Sequence, residues 1–238
     1  MTPPASDLRA KALRVHELLI ERYGESVLRD TLDPLSELVL TILSQNTADT
    51  NSGRAYDSLR ERFPTWEAVL EADPRDLAQA IHIGGLANIK APRIQRILRQ
   101  LQDEHSALQL DFLGPMSVEE ARGYLLSLPG VGPKTAACVL LFALRKPVFP
   151  VDTHVHRVTR RIGLAPARAT PEKVGLLLEE LLPEAVFFPF HVNLIRHGRA
   201  ICRASKPRCE VCPVAQECDY LNLGRQALPA QPSKKQTR

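Results

Sequence analysis

The chain has 238 residues, 44% apolar and 24% charged, with a formal net charge of +4 and a pI near 8.9. That composition is globular, with length for one or two buried cores, and no run of about 18 apolar residues is present to span a membrane. The basic balance suits a polyanionic partner without requiring one, and aromatic residues at only 5% argue against recognition by rows of stacked rings.

The opening MTPPASDLRA has no apolar core followed by a small-residue cleavage site, so the expected compartment is the reducing cell interior. From there the apolar spacing is helical. A helical period runs from Leu13 to Val27, and Leu35, Leu38, Val39, Ile42 and Leu43 then mark one face of a second helix. Asp73-Pro74 pairs an N-cap residue with proline at the first helical position, a start signal repeated at Thr170-Pro171. Ile94, Ile97, Leu98 and Leu101 form another stripe, and Arg93, Arg96 and Arg99 on the same segment read as a solvated face. Ser117-Val118-Glu119-Glu120 reads as a capping box that opens a helix to Ser127. Further helices are expected from Pro133, from Val155 to Ile162, and around Leu176 to Leu182. No segment alternates as a strand and no Asn-Gly or Asp-Gly hairpin is present, so the predicted fold class is all-α. The tail from Gly224, GRQALPAQPSKKQTR, has little to bury and is expected to be disordered.

Between two of these helices stands LPGVGPK, Leu128 to Lys134. Its glycines permit a positive φ and close approach of a partner to the backbone. The free N–H groups of the following helix then face whatever approaches, and an anion such as a DNA phosphate is the natural guest. A plain helical turn would look similar. Lys134 goes against local preference, because a helix N-terminus carries roughly +0.5 of a charge. It serves either as a charged phosphate contact or as a neutral nucleophile, whose pKa burial and the helix terminus would lower. Composition does not choose between the two. Asp152, in VDTHVHRV, reads first as an N-cap and second as a carboxylate able to stabilise a cation.

Cys202, Cys209, Cys212 and Cys218 follow as C-x6-C-x2-C-x5-C. In a reducing compartment a cluster this dense points to metal. Structural zinc generally uses two close pairs, whereas one close pair with single ligands at unequal distances suits a chain wrapped around a 4Fe–4S cluster. The spacing therefore favours 4Fe–4S over zinc. The intervening loop carries Arg203, Lys206 and Arg208, which offset thiolate charge, meet DNA phosphates, or do both. Cys138, within AACVLLFAL, reads as a buried inert thiol.

Taken together, LPGVGPKTA, then VDTH, then the four-cysteine pattern resemble the endonuclease III family over about residues 8 to 222. The resemblance implies a bifunctional base-excision-repair glycosylase for oxidised pyrimidines, with a six-helix barrel over 31–146. A discontinuous iron–sulfur lobe is implied over 1–30 and 147–223, with a DNA-binding cleft between the lobes. It implies Lys134 as the nucleophile that forms a Schiff base and nicks the strand by β-elimination, with Asp152 as the essential carboxylate. The hairpin residues Gly130, Val131 and Gly132 would meet DNA, His154 would line the pocket, and Leu86 would wedge into the duplex. Gln45 or Asn46, in SQNTAD, would fill the gap left by the flipped base. Ala87 and His156 depart from residues common in the family, which bears on lesion preference. The implied cofactor is a 4Fe–4S cluster. The implied partner is double-stranded DNA with damaged bases or abasic sites, bound by a monomer in the cytoplasm at the nucleoid. The competing readings are a monofunctional mismatch glycosylase and a non-catalytic helix–hairpin–helix DNA-binding protein.

Overall fold

The computed structural model describes residues 5–28 and 31–224, and the tail expected beyond Gly224 lies outside the described residues. Among the described residues the fold is all-α, without a strand. They divide into two compact units. One is drawn from Met1–Val27 with Val151–Arg238, the other from Leu28–Pro150.

The Leu28–Pro150 unit holds α2 (Pro34–Ser44), α3 (Asp49–Arg62), α4 (Trp66–Glu71), α5 (Pro74–Ala80), α6 (Ala87–His105), α7 (Val118–Ser127) and α8 (Pro133–Cys138). Sequence dictates the starts. Asp33 caps α2 by accepting from the Leu35 and Ser36 amides, ahead of Pro34 at the first position. Ser117 and Glu120 form both halves of the capping box on α7. The predicted stripes then meet in one core: Leu35, Leu38 and Ile42 of α2 and Ile94 and Leu98 of α6 are wholly buried. Each such side chain contributes roughly 1.5–3 kcal/mol.

Three local features depart from simple periodicity. After Cys138, which is buried as expected, the helix widens into a π-turn over Val139–Ala143. Arg93 is not part of a solvated face. Its guanidinium lies against Gly130 and donates to Gln45 Oε1 at 2.8 Å, while Arg96 and Arg99 are exposed. Residues 147–150 stay with this unit because Val148 is buried in its core and Lys146 Nζ donates to the carbonyls of Gly114 and Met116.

The other unit holds α1 (Ala5–Tyr23), α9 (Thr153–Ile162), α10 (Pro171–Leu181), α11 (Phe187–Ala200) and α12 (Asp219–Asn222). α1 stops before Val27, because Gly24 takes a left-handed φ of +80° and its N–H closes on Ile20 O. The two ends of the chain are laced together here. Lys11 pairs with Asp219 at 2.6 Å, Arg14 forks onto Glu217 at 2.9 and 3.1 Å, and the Tyr23 hydroxyl meets His197 Nδ1 at 3.2 Å. α9 and α11 approach closely at Gly198, where an added Cβ would stand 2.8 Å from the His154 Cβ. Among the described residues no helix is long and apolar enough to cross a membrane.

Candidate functional site

The hairpin between α7 and α8 is tight: Val131 N–H closes on Leu128 O at 3.1 Å, and Gly130 takes φ +73°. Its two glycines do different work. A Cβ at Gly130 would fall 2.3 Å from Arg93 Nε, so this glycine serves the fold. At Gly132 φ is −100° and a Cβ would have no neighbour within 4 Å, so the protein itself makes no use of its bareness. Gly132 is also the N-cap of α8 and offers no side-chain oxygen to the first-turn amides. What profits from a bare backbone there is an approaching partner. Val131 is buried, so only its backbone faces outward.

The contrast is testable. Gly130→Ala should destabilise the protein by about 1–3 kcal/mol, because it forces a side chain into the left-handed region. Gly132→Ala should leave stability unchanged or raise it by about 0.4–1 kcal/mol while weakening duplex binding. Urea midpoints and a binding titration on each variant check both halves.

Lys134 lies half-buried in the first turn of α8. A carboxyl from α2 interacts with it: Glu37, which also accepts from Thr41 Oγ1 at 3.0 Å. Burial pushes the Glu37 pKa up to about 7, while the Thr41 hydrogen bond and the Lys134 charge pull the other way. An acid whose folded pKa is raised gives its full stability below its unfolded pKa and loses it as pH rises through the folded one. Glu37→Gln should therefore match the parent near pH 4 and exceed it by about 2–3 kcal/mol above pH 8, as read from urea midpoints.

Four non-glycine residues of this unit stand in the left-handed region, Ser106 and Arg145 and, at two loop tips, Asn46 at φ 55° and Leu86 at φ 52°. Such conformations cost roughly 1–3 kcal/mol and persist where the surroundings impose them. Leu86 is 49% exposed and Ile89, one turn on, is 55% exposed, so an apolar knuckle projects from the start of α6. Gln45 is held in place. Its Nε2 donates to Thr135 Oγ1 at 3.2 Å and its Oε1 accepts from Arg93. Asn46 beside it is exposed.

In the other unit Asp152 caps α9, accepting from the Val155 amide at 2.7 Å through Oδ1. The cap engages that oxygen, so the capping and charge-stabilising readings are compatible. His154 Nδ1 lies 3.0 Å from Arg157 Nη2. A guanidinium only donates, so this ring nitrogen is an acceptor. Burial, then Arg157, holds the His154 pKa below its usual value and keeps the ring neutral. His156 Nε2 donates to Ala169 O at 2.8 Å and pins the following loop.

Cys202, Cys209, Cys212 and Cys218 line a single hollow of about 320 Å³, counting its open mouth, together with Ile201, Val214 and Tyr220. Among the described residues no group of three or more His, Cys, Asp or Glu side chains is disposed to hold one metal ion. The four thiols share one hollow. Burial raises the Cys212 thiol to about 11 and pushes Cys218 up as well. Arg161 braces the rim, donating to Arg203 O at 2.6 Å and Ala204 O at 3.0 Å with Nη1 also 3.5 Å from Cys202 Sγ. The loop so held exposes Arg203, Lys206 and Arg208.

Sequence reasoning missed Glu37, Arg93, Arg161 and Ile89. One further omission was recoverable: Lys90 falls four residues before Ile94, on the buried stripe of α6, where a lysine is out of place.

The family described as "HhH-GPD superfamily base excision DNA repair protein" matches residues 39–184. Endonuclease III of Thermotoga maritima is 39% identical over 188 residues, which span 79% of this chain and 84% of that protein. Endonuclease III of Rickettsia felis is 38% identical over 185 residues, 78% and 82% of the two chains. A solved structure described as a non-covalent endonuclease III–DNA complex superposes with a TM-score of 0.77 at 26% identity, covering 90% of this chain and 97% of that one.

Proposed function

The chain belongs to the HhH-GPD superfamily of base excision DNA repair proteins and within it to the endonuclease III family, and from that membership we propose that it excises oxidised pyrimidines from duplex DNA and cleaves the resulting abasic site. The observation that carries this reading is Lys134, half-buried in the first turn of a helix capped by a bare glycine. A cation is mildly disfavoured at that end of a helix, which supports a chemical role for it.

The target carbon of a stacked nucleotide is out of reach, so the damaged nucleotide is turned out of the duplex. Asn46 and Leu86 enter the space it leaves, and the hairpin amides from Gly130 to Gly132 hold a flanking phosphate. Lys134 Nζ, as the neutral amine, attacks C1′ of the sugar. The C1′–N bond breaks, and its electron pair leaves with the base. Asp152 stabilises the positive charge that develops and takes up the proton from the amine. The C1′–O4′ bond of the resulting aminal then opens, O4′ taking up a proton, which gives the Schiff base between Lys134 and C1′. The iminium acidifies C2′, and loss of a C2′ proton with breakage of the C3′–O bond expels the 3′ phosphate by β-elimination and nicks the strand.

Cys202, Cys209, Cys212 and Cys218 would hold a 4Fe–4S cluster, which supplies a rigid covalent clasp. The clasp fixes the loop that offers Arg203, Lys206 and Arg208 to the phosphate backbone. The partner in this reading is double-stranded DNA with damaged bases or abasic sites, engaged by a monomer in the cytoplasm.

The test is borohydride trapping on duplexes with one thymine glycol or one abasic site, run with a free-base release assay. A covalent adduct and base release from thymine glycol are expected. Tight duplex binding with neither would overturn the reading.

A further inference from the structure

Lys90 has 1% of its surface exposed, and among the described residues its ammonium has no carboxylate partner. Its three N–H bonds are all engaged. They go to Leu43 O at 2.6 Å, Gly84 O at 2.8 Å and Thr47 Oγ1 at 2.9 Å. The acceptors come from two separate stretches of chain. Leu43 and Thr47 flank Gln45 and Asn46, and Gly84 lies two residues before Leu86. The Thr47 hydroxyl, which accepts from Lys90, also reaches Gly84 O and closes the triangle. Leu43 O is among the unpaired carbonyls at the end of α2, where a cation is favoured.

We propose that Lys90 is a positioning residue that sets Asn46 and Leu86 at one fixed spacing, so that the two tips enter the duplex as a unit. This rests on the reading above, in which those tips fill and wedge the gap.

Stability alone does not call for a lysine here. A buried ammonium is costly to desolvate, and an apolar residue would suit a stripe shared with Ile94, Ile97 and Leu98. What an apolar residue lacks is three donors pointing at two loops. Both tips are in the left-handed region, a strain that something must hold. Lys90 bonds both backbones, and the Thr47 hydroxyl it donates to bridges them as well. It touches neither the hairpin nor Lys134 through any of these bonds, so its effect falls on gap filling rather than on the amine.

Turning out a stacked base requires the gap to be filled, whereas an abasic site has no base to unstack. Lys90→Met keeps the chain length and removes the donors. Base release from a thymine glycol duplex should fall about 100-fold or more, the order of loss expected from a misplacement near 1 Å. Strand cleavage at a preformed abasic site should fall only several-fold. 2-Aminopurine placed opposite the lesion should brighten on binding the unsubstituted protein and stay dim with the variant. Thr47→Val, which removes one acceptor and the bridge to Gly84 and is milder on folding, should show the same ordering with about a 10-fold loss of base release.

Parallel loss of both activities, or unchanged base release, in Thr47→Val and in a folded Lys90→Met would overturn the proposal. If Lys90→Met does not fold, Thr47→Val decides. An unsubstituted protein inactive on both DNAs would overturn the functional reading itself, a distinct outcome.

Discussion

Lys134→Ala is expected to form no borohydride-trapped adduct and to lose at least about 1,000-fold in cleavage of abasic sites. Duplex affinity should change by no more than a few-fold. Stability should hold or rise slightly, because alanine is the better helix former and a cation leaves the positive end of α8. If Lys134 were a phosphate contact, the variant would instead bind more weakly at low salt, with a salt slope shallower by about one. The two roles therefore differ in the salt dependence of binding and by orders of magnitude on turnover. The same variant tests the neighbourhood of Glu37. Without the Lys134 charge, one influence that holds the Glu37 pKa down is gone, so its carboxyl should titrate higher still.

The second large effect is expected at the cysteines. Cys212→Ser should give a protein without the broad visible colour of an iron–sulfur centre, and iron analysis should confirm the loss. The consequence extends past the four corners. The segment from Cys202 to Asp219 has few apolar anchors: Val214 is 1% exposed and Cys218 8%, while Val211 is 51% exposed. Loss of the clasp should loosen the loop braced by Arg161, and with it Arg203, Lys206 and Arg208. Duplex affinity should then fall by about 10- to 100-fold, with a salt slope shallower by about two to three. The Lys134 hairpin is built inside Leu28–Pro150 and should keep its local structure. Hydrogen exchange should thus show new opening at 202–223 and little change at 118–143. A zinc site would leave the unsubstituted protein colourless, and the contrast would vanish.

The helices were legible in the sequence wherever a cap residue and an apolar period agreed. Asp73-Pro74, Ser117 with Glu120, and Thr170-Pro171 each start a helix where read, because a side-chain oxygen at the cap answers a local need. The end of α1 was misjudged because Val27 continues the period, while Gly24 ends the helix through its backbone alone. The π-turn at Val139–Ala143 was invisible for a similar reason. In a segment that is apolar all round, one extra residue per turn leaves no mark on the pattern. The candidate site residues proposed from the sequence are those carrying local signals: glycines at a turn, a lysine at the wrong end of a helix, four clustered cysteines. Glu37, Arg93 and Arg161 carry none, since each acts on a group far along the chain. Arg93 shows the difficulty plainly. Its spacing with Arg96 and Arg99 suggests solvent, but the glycine that makes room for it lies 37 positions on (130 less 93).

The lacing of the two chain ends has a consequence for how the molecule is made. Arg14 must wait for Glu217, 203 residues later, and Lys11 for Asp219, 208 later. The Leu28–Pro150 unit is contiguous and complete well before those residues leave the ribosome. It can fold while synthesis continues. Closing a long loop costs entropy that grows with the free length, and a segment already folded in between shortens that free length. Assembly of the protein thus runs from its middle outward. The N-terminal helix is synthesised first but must wait for α10 and α11 to find its packing partners, and its ion pairs form only once the cysteine segment has been made.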